Sequence, residues 1–573
     1  MVLLDEIVNY LKTRNFQCIK SQVIEKDTLT VSVIIGKQKV NLSYFYDQEI
    51  TSLPTFWLKE PLQFMPLAHV NIRNISGVDF GWICVNDADS VSVNYEQPLL
   101  AIEESLIRHI ALLTKSLLNP DWNRSELLRE FQSNWIQLCL PKNKQLLAVC
   151  TDVNLQESNV LRPLKGSTYG FDSYYMAEIS GSNSSKIGVR NWSTNIVNRT
   201  TAGKAIVIPL NELEPAPFNK KGLGEWYLNA MENLLSNKPE LFRKFGQWRS
   251  KEFWLILNAE TPSGRTWFCL HLESRKKHSL PKSKEALEHW KLQVVNLKLF
   301  NKDKVLPRGG ANLKLAKKRV ALVGAGSVGS EIALKLSSAG IENLDIYDPD
   351  NYSLDNLYRH VLSENSLDFP KSMAMSFMIK NRLPWSNATG FPGKLLDLRM
   401  MKNLKNYDLI VVAIGSPTHE RLFKEHLVKN KIKVPVINTW LEGFGVGGHS
   451  IIDIPDSKGC LYCAYVCHET FTRGLSSNLN FIESNQNVTK NLAGCGEQFI
   501  SYGALCSAQT ALIATDLAIR FLEKRLLESS KVSWKGDYDD AKENGINMTH
   551  RYIHFNESLR VEPLYDEDCD VCN

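Results

Sequence analysis

Residues 319–350 read RVALVGAGSVGSEIALKLSSAGIENLDIYDPD, and this stretch decides the fold of the second half of the chain. An apolar strand at Val320–Val323 precedes a glycine loop, a helix follows at Glu331–Ser338, and a second strand at Leu344–Tyr347 ends in two aspartates. This order predicts the β–α–β unit of a Rossmann-like domain. From Arg319 onward, apolar strands alternate with helices, which predicts an α/β domain with a mainly parallel sheet.

The glycines of this loop predict a phosphate site. Gly324, Gly326 and Gly329 allow the backbone to turn tightly and to approach a phosphate at the amino terminus of the helix. An acid after the second strand, here Asp348, can bind a ribose hydroxyl. These features fit the dinucleotide of an NAD-dependent dehydrogenase at least as well as ATP, so the loop alone leaves both ligands open.

Polar residues beyond the second strand favour ATP. Asn356 and Arg359 follow the aspartates, and Lys371 comes about a dozen residues later. Cleavage of ATP between its α and β phosphates places charge on the leaving pyrophosphate, which an arginine and a lysine can neutralise. A dinucleotide needs neither cation at these positions.

This pattern resembles the ThiF-type adenylating superfamily, which includes ubiquitin-activating enzymes and activators of sulfur-carrier proteins. The resemblance implies bound ATP and Mg²⁺, with Asp348 at the ribose and Asp350 near the metal. It places the other polar residues of the motif along the phosphates: Asn356, Arg359 and Lys371. It also implies a homodimer in which an arginine reaches the partner's ATP. Arg308 matches that arginine loosely, and a linker arginine is an equal alternative.

The sequence departs from the family pattern at the tip of the next strand. The stretch DLIVVAIGS, residues 408–416, ends in Gly415 and Ser416, where the family has an Asp that helps to hold Mg²⁺. The complete Mg²⁺ shell is therefore not assigned.

Four of the twelve cysteines form two Cys-x-x-Cys pairs: Cys460 with Cys463, and Cys569 with Cys572. Four thiolates at this spacing can bind Zn²⁺ tetrahedrally. One pair alone would also fit a redox motif, but the second pair lies near the last residue, where a metal prevents fraying. We expect a structural Zn²⁺, which the superfamily resemblance also implies, and a buried spare thiol at Cys467.

Cys495 is the candidate nucleophile of the carboxy-terminal region. It stands between the two cysteine pairs, has glycine on both sides, and precedes an apolar helix predicted from Phe499 to about Leu527. The positive end of a helix lowers a thiol pKa and favours the thiolate. In the activating branch of the superfamily the cysteine that accepts the acyl group has this position. A structural thiol is the alternative for Cys495, and Cys506, inside the helix, is expected in the core.

The amino-terminal region is similar to the ubiquitin-conjugating fold. The turn PLAHVN, residues 66–71, precedes GWICV, residues 81–85, and a helix from Pro98. That family has a His-Pro-Asn turn followed by an active cysteine, which implies catalytic roles for His69, Asn71 and Cys84. An Asn amide can donate to the oxyanion formed when an amine attacks a thioester. Val70 replaces the proline here, and a buried strand cysteine is the alternative for Cys84.

Composition excludes several classes of protein. The 573 residues are 43% hydrophobic, 9% aromatic and 23% charged, which is typical of globular domains and not of disordered or fibrous chains. A formal net charge of +5 favours neither a nucleic-acid partner nor a membrane surface. The first residues, MVLLDEIVNYLKTRNF, predict an amphipathic helix instead of a signal peptide, so we expect a cytoplasmic protein without a membrane span.

We expect a multidomain protein of the α/β and α+β classes, with three domains. Residues 1–135 are predicted to form an α+β ubiquitin-conjugating-like domain, residues 136–300 a middle domain of unassigned fold, and residues 301–573 the Rossmann-like adenylating domain with its zinc clasp. The basic stretch at residues 275–319 is predicted to be a solvated linker, with a binding patch as the alternative.

This domain order resembles the fused ubiquitin-transferase-like proteins of bacterial CBASS anti-phage operons. The resemblance implies ATP-dependent adenylation of a protein C-terminus, thioester transfer from Cys495 to Cys84, and ligation to an amine of an acceptor protein. It also implies a cGAS-like nucleotidyltransferase as the modifier. The alternatives are a sulfur-carrier adenylyltransferase, which would leave Cys84 unused, an NAD-dependent oxidoreductase, and a catalytically inactive interaction protein.

Overall fold

The computed structural model describes residues 3–23, 26–46, 53–85, 97–139, 145–150, 157–163, 174–179, 197–383, 385–396, 398–467, 469–491, 498–556, 561–569 and 571. The chain divides into two compact units, residues 1–182 with 194–300, and residues 183–193 with 301–573. The further boundary at residue 135 stays a prediction.

The first unit begins with an antiparallel six-stranded sheet in the order β1-β2-β3-β4-β6-β5. Its strands are β1 (Gln17–Val23), β2 (Lys26–Ile35), β3 (Gln38–Phe45), β4 (Phe56–Lys59), β5 (Val70–Ile75) and β6 (Val78–Ile83). The helices of this region are α1 (Leu4–Thr13), α2 (Pro98–Leu118), α3 (Pro120–Arg129) and α4 (Phe131–Gln137). Alternate residues Val40, Leu42 and Tyr44 of β3 are buried, because successive side chains of a strand point to opposite faces. They share a core with Leu11 of α1 and Leu106 of α2.

Residues 145–300 contain a closed barrel in which the strand order is β10-β11-β12-β13-β7-β9-β8. Its strands are β7 (Gln145–Cys150), β8 (Glu157–Pro163), β9 (Tyr174–Ile179), β10 (Val197–Pro209), β11 (Ser250–Thr261), β12 (Gly264–His278) and β13 (Lys291–Phe300). Helices α5 (Leu223–Asn237), α6 (Pro239–Gly246) and α7 (Lys284–Leu287) connect or follow these strands. Phe253, Leu255 and Leu257 of β11 pack with α4 and α5 in one core, while Trp254 and Ile256 belong to another.

The prediction of a solvated linker at residues 275–319 is wrong for most of this stretch. β12 extends to His278, and β13 pairs with it in antiparallel register. Lysines and arginines here occupy exposed positions, while Trp290 and Val294 are buried in the core. Basic composition alone therefore did not distinguish strands with exposed side chains from a linker.

The second unit is built on an eight-stranded sheet in the order β16-β15-β14-β17-β18-β19-β24-β25. Its elements in chain order are α8 (Lys302–Arg308), β14 (Arg319–Val323), α9 (Ser327–Ser338), β15 (Asn343–Tyr347), α10 (Lys371–Arg382), β16 (Thr389–Phe391), α11 (Leu398–Asn403), β17 (Leu409–Val412), α12 (Pro417–Lys429), β18 (Val436–Leu441), β19 (Gly447–Asp453), β20 (Val466–Cys467), β21 (Thr472–Arg473), β22 (Thr489–Asn491), β23 (Gln498–Ile500), α13 (Ala504–Leu522), β24 (Ser530–Lys535), α14 (Asp539–Glu543), α15 (His550–His554) and β25 (Glu562–Pro563). Strands β14 to β18 are parallel, whereas β19, β24 and β25 are antiparallel. The predicted Rossmann-like α/β fold is confirmed.

The helix predicted from Phe499 to Leu527 is shorter than expected. β23 ends at Ile500, Gly503 has extended backbone as the residue before the helix, and α13 runs from Ala504 to Leu522. Among the described residues, α13 is the one helix long and apolar enough to span a membrane by length and composition. Leu517 and Ala518 are fully buried in the same core as α9, as is typical of a core helix in a globular domain.

Candidate functional site

Two of the three loop glycines are required by their surroundings. Gly324 has φ +93°, and a Cβ there would lie 2.5 Å from the Ala413 carbonyl oxygen. A Cβ on Gly329 would overlap the Gly324 carbonyl oxygen, so only glycine lets α9 pack this close to the loop. A Cβ on Gly326 would meet nothing within 4 Å, which leaves open space in front of the amino terminus of α9. This is the geometry that admits a phosphate.

The loop backbone is held at Ala325 by the buried Asp348 and the half-buried His360. The Ala325 N–H donates to Asp348 Oδ2 at 2.6 Å, and the Ala325 carbonyl oxygen lies 2.7 Å from His360 Nε2. Burial lowers the pKa of His360 to about 4. The imidazole is therefore neutral at pH 7, donating from Nε2 while Nδ1 accepts from the Leu362 N–H at 3.1 Å. The sequence motif identified Asp348 but not His360, which directly follows Arg359.

Asp348 links the end of β15 to the glycine loop. Its Oδ1 accepts from the Asp350 N–H at 2.8 Å, so both carboxylate oxygens bond to backbone. Burial raises the pKa of Asp348, although the two backbone donors and Lys371 oppose the shift. The side chain thus fixes the end of β15 against the glycine loop, at the position predicted for the ribose contact.

Lys371 and Asp350 form a pair at this loop. Lys371 begins α10 and is buried, with Nζ 3.5 Å from Asp350 Oδ2, and its N–H donates to the Asp350 carbonyl oxygen at 2.9 Å. The Asp350 side chain is 69% exposed. A buried lysine beside an exposed carboxylate can turn its charge toward a phosphate, while the carboxylate remains available to a cation.

Arg359 and Asn356 have different surroundings. The Arg359 guanidinium carbon lies 5.0 Å from the centre of the Tyr502 ring, and the Tyr502 hydroxyl lies 3.0 Å from Ser327 Oγ at the start of α9. Arg359 is therefore connected to the glycine loop through Tyr502. Asn356 instead accepts from the Ser353 N–H at 3.2 Å within a local turn. Its phosphate contact stays a prediction, and Tyr502 carries no motif by which the sequence could have identified it.

Helix α12, which follows the strand tip that departs from the family pattern, contains a carboxylate that the sequence reasoning missed. Ser416 Oγ lies 2.8 Å from His419 Nδ1, and the Ser416 N–H donates to Glu420 Oε1 at 3.1 Å. Glu420 also faces Asn438 and is buried, which raises its pKa to about 7. Because Glu420 is turned into the core, it does not replace the missing aspartate at the surface of the site.

The donors present fit a Mg²⁺ that is held mainly by substrate. Mg²⁺ commonly binds through one or two carboxylates together with phosphate oxygens and waters. Asp350 is the exposed carboxylate next to the loop, and Asp348 has both oxygens engaged by backbone. Arg308 is the last residue of α8 and is exposed, so its predicted reach to a partner stays a prediction.

Three of the four predicted zinc ligands meet. The sulfurs of Cys460, Cys463 and Cys569 lie within 4.8 Å of one another, all three residues are buried, and Cys460 Sγ is 3.6 Å from Cys569 Sγ. Hydrogen bonding with Cys463 and burial raise the pKa of Cys460, as is typical of thiols crowded together without a cation. The fourth, Cys572, lies outside the described residues. Cys467 is half-buried, not fully buried as expected, and is not part of this cluster.

Cys495 and Cys506 are the cysteines before and within α13. Cys495 lies outside the described residues, between Asn491 and Gln498, which pair across β22 and β23. The helix that follows, α13, begins at Ala504, and the proximity of Cys495 to its amino terminus stays a prediction. Cys506, in the first turn of α13, is half-buried and packs against the main core, in line with the core position predicted for it.

In the first unit, the structure brings His69 and Cys84 together. The Cys84 N–H donates to the His69 carbonyl oxygen at 2.8 Å, just beyond the β5–β6 pairing of Val70 with Ile83. Cys84 is half-buried, not fully buried. Asn71 pairs with Trp82 in the same ladder, on the opposite sheet face from the buried Val70. His69, Asn71 and Cys84 therefore lie close to one another at the end of the β5–β6 strand pair.

Helix α3 and the residue after it hold the His69 turn, which sequence reasoning did not foresee. Asn123 Oδ1 accepts from the Ala68 N–H at 2.8 Å, and Glu130 accepts from both the His69 N–H at 2.9 Å and the imidazole Nδ1 at 2.7 Å. Glu126 lies 3.6 Å from His69 Nε2. Hydrogen bonding to Glu130 raises the pKa of His69. His69 thus positions the turn as part of an ion pair.

Comparisons with known proteins find one matching family model and relatives that are similar to parts or most of the chain. Residues 295–552 match the model of the ThiF family. The ATP-dependent ubiquitin transferase-like protein Cap2 of Escherichia coli is 22% identical over 87% of this chain and 88% of its own length. The NEDD8-activating enzyme E1 catalytic subunit of Schizosaccharomyces pombe is 29% identical over 26% of this chain, which spans 33% of that protein. The solved structure of E. coli MccB with MccA-N7isoASN is 16% identical, with a TM-score of 0.33 over 45% of this chain and 68% of that chain. The resemblance to the fused ubiquitin-transferase-like family is confirmed.

Because the His360 imidazole is neutral in the folded chain, we expect the free energy of unfolding to depend on pH. Its pKa of about 4 lies below the value of about 6.5 expected in the unfolded chain, so the unfolded chain binds more protons between these values. The free energy of unfolding should therefore fall as the pH drops from about 6.5 to 4, by roughly 3 kcal/mol at most from this group. Denaturant titrations at pH 7 and pH 5 should show a smaller difference for His360→Gln than for the wild type. The exposed His554→Gln is the matched control, and an equal pH dependence in His360→Gln and wild type would contradict the assignment.

The thiol cluster predicts one Zn²⁺ per chain in protein purified under reducing conditions. Cys460→Ser and Cys569→Ser should each lower the bound zinc and the stability of the second unit, because closing a metal site contributes folding free energy. Cys467→Ser, four residues from Cys463, should change neither. Elemental analysis with thermal unfolding measures both quantities, and a stable wild-type protein without metal would refute the site.

Proposed function

We propose that this chain, an ATP-dependent adenylating enzyme of the transferase type with a ThiF-family domain at residues 295–552, activates the C-terminal carboxylate of a protein and joins it to an amine. The observation that carries the proposal is the placement of Lys371, Arg359 and Asp350 around the glycine loop. Binding of a dinucleotide does not require two cations and an exposed carboxylate at these positions.

The first step is formation of an acyl adenylate. A carboxylate oxygen of the modifier attacks the α phosphorus of ATP, the bond to the bridging oxygen of the β phosphate breaks, and pyrophosphate leaves. The amino terminus of α9 and the loop N–H groups bind phosphate oxygens, and Lys371 and Arg359 neutralise the charge that develops on pyrophosphate. Asp350 is the residue that would hold Mg²⁺, which supplies additional charge neutralisation when bound.

The second step moves the acyl group to sulfur. The Cys495 thiolate attacks the adenylate carbonyl, AMP leaves, and a thioester forms. The Cys84 thiolate then attacks this thioester, so that the acyl group passes to Cys84 and the Cys495 thiolate is released. Finally an amine of the acceptor attacks the Cys84 thioester, the carbon–sulfur bond breaks, and an amide forms as the Cys84 thiolate and the proton of the amine are released. Stepwise transfer is needed because a carboxylate is a poor electrophile and its adenylate hydrolyses readily in water.

The surroundings of Cys84 support its role in the last step. It is half-buried at the end of β6, and the turn that faces it is fixed by Asn123 and Glu130. Asn71 is proposed to donate its amide to the oxyanion of the aminolysis intermediate, and His69 to hold the turn through its ion pair. A rigid turn next to the sulfur preorganises these donors.

The partners are proposed from the resemblance. The E. coli relative is named as a ubiquitin transferase-like protein, which supports a protein modifier and a protein acceptor. We propose a cGAS-like nucleotidyltransferase as the modifier, in anti-phage defence in the cytoplasm. The sulfur-carrier adenylyltransferase and the NAD-dependent oxidoreductase are less favoured, because the similarity to the transferase-like relative extends over 87% of the chain.

An exposed apolar stripe supports the proposed homodimer. Met373 and Phe377 lie one helical turn apart on α10, and Phe369 precedes them by the same spacing. These side chains are 50%, 65% and 62% exposed, respectively. Tyr358, next to Arg359, is 97% exposed. Apolar surface of this kind is typical of an interface, so we propose that a second copy packs here. The reach of Arg308 to the ATP of the partner is proposed from the family resemblance.

Removing either phosphate cation should abolish adenylation without unfolding the chain. We expect Arg359→Ala and Lys371→Met to lower ATP–pyrophosphate exchange about 100-fold or more, since each loses a charge-assisted contact to the leaving group. Lys380→Ala, on the same helix as Lys371, is the control and should retain the wild-type rate. Exchange at the wild-type rate in both site variants would refute the assignment.

The two nucleophiles should be separable. Cys495→Ala should form adenylate but no thioester on either cysteine, whereas Cys84→Ala should load Cys495 and fail to complete conjugation. Mass spectrometry of reducible adducts after incubation with ATP and the modifier distinguishes these states, and Cys506→Ala is the control. Conjugation at the normal rate by Cys84→Ala would reduce the amino-terminal region to a binding module.

A further inference from the structure

Tyr502 connects two groups of the nucleotide site that otherwise belong to different elements. Its hydroxyl lies 3.0 Å from Ser327 Oγ, the first residue of α9, and its ring centre lies 5.0 Å from the guanidinium carbon of Arg359. The residue before it, Ser501, accepts a hydrogen bond from the Phe444 N–H at 2.6 Å. Tyr502 is thus anchored by its own backbone segment and by the helix that follows the glycine loop.

The ring contact leaves the guanidinium able to bind phosphate. In the part of the chain that the structure describes, no carboxylate forms an ion pair with Arg359, whereas Lys371 has Asp350 at 3.5 Å. A guanidinium over an aromatic face is held by its flat side, and its N–H groups remain available along its edges. Because a phosphate is bound through those edges, the ring fixes the orientation of Arg359 without competing for its donors.

We propose that Tyr502 is a positioning residue for adenylation: it sets Arg359 relative to the amino terminus of α9, so that the arginine meets the leaving pyrophosphate. This inference rests on the proposed function and adds a residue to it. The hydroxyl contact with Ser327 aligns the ring, and the ring aligns the arginine. The ring is the essential part of Tyr502, since the guanidinium of Arg359 lies over the ring.

Kinetics of three variants test this role. Tyr502→Ala should lower kcat of ATP–pyrophosphate exchange about 10- to 100-fold and change KM for ATP less, because misplacement of a charge-neutralising group mainly affects the transition state. Tyr502→Phe keeps the ring and should remain within about threefold of the wild type. In an Arg359→Ala background, Tyr502→Ala should have little further effect, because the two residues act as one unit. Tyr538→Ala, a half-buried tyrosine that packs near Tyr552, is the control.

A binding measurement keeps the inference separate from the proposed function. Calorimetric titration of the wild type and of each Tyr502 variant with ATP and with AMP gives the ratio of the two affinities, which is the preference for ATP. Tyr502→Ala should lower this preference by a smaller factor than it lowers kcat, while Tyr502→Phe retains it. An unchanged preference and exchange rate in Tyr502→Ala, or a Phe variant as impaired as the Ala variant, would overturn the inference. A wild-type protein that shows the preference but exchanges no pyrophosphate would instead refute the proposed function.

Discussion

The backbone of Ala325 is held between the side chains of Asp348 and His360, and the nucleotide site depends on this constraint. Asp348 accepts from its N–H and neutral His360 donates to its carbonyl oxygen, at 2.6 and 2.7 Å. These bonds fix the loop between β14 and α9, so the open space at Gly326 lies in front of a helix terminus. His360 stands next to Arg359, and Asp348 is two residues before Asp350. The residues that shape the loop therefore also place the charged groups that are proposed to act on the substrate.

Cation placement follows from the same frame. Lys371 begins α10, and its N–H donates to the Asp350 carbonyl oxygen. Its ammonium group lies beside the Asp350 carboxylate. Arg359 approaches from another side over Tyr502, which is bonded to Ser327. Because the glycine loop contributes no charged side chain, these cations are proposed to supply the charge that a triphosphate requires. The strand tip at Gly415 and Ser416 adds no carboxylate to the surface, which leaves Asp350 as the exposed acid at the loop.

The sequence predicted the parts of this molecule whose function requires a fixed spacing. The glycine loop, Asp348 and Asp350 lie at positions that backbone geometry dictates, so their pattern is local in the chain. Cys460 and Cys463 have the local spacing of a ligand pair, and Cys569 was identified because it begins a second such pair. The missed groups act across the fold: His360, Tyr502 and Glu420 in the second unit, and Asn123 and Glu130 beside the His69 turn. Nothing in their immediate sequence indicates a partner. The basic stretch at residues 275–319 was misassigned because composition reports exposure, and an exposed strand is as basic as a linker.

The central claim is that ATP is used here to activate the C-terminal carboxylate of a protein. Intact-mass measurement of the wild-type chain with ATP, Mg²⁺ and a candidate modifier tests it most directly. The account predicts release of AMP and pyrophosphate together with an adduct of one modifier, less one water, that a reducing agent removes. The same modifier with an amidated C-terminus should give neither product. An adduct that forms without ATP, or equally well from the amidated modifier, would contradict the account.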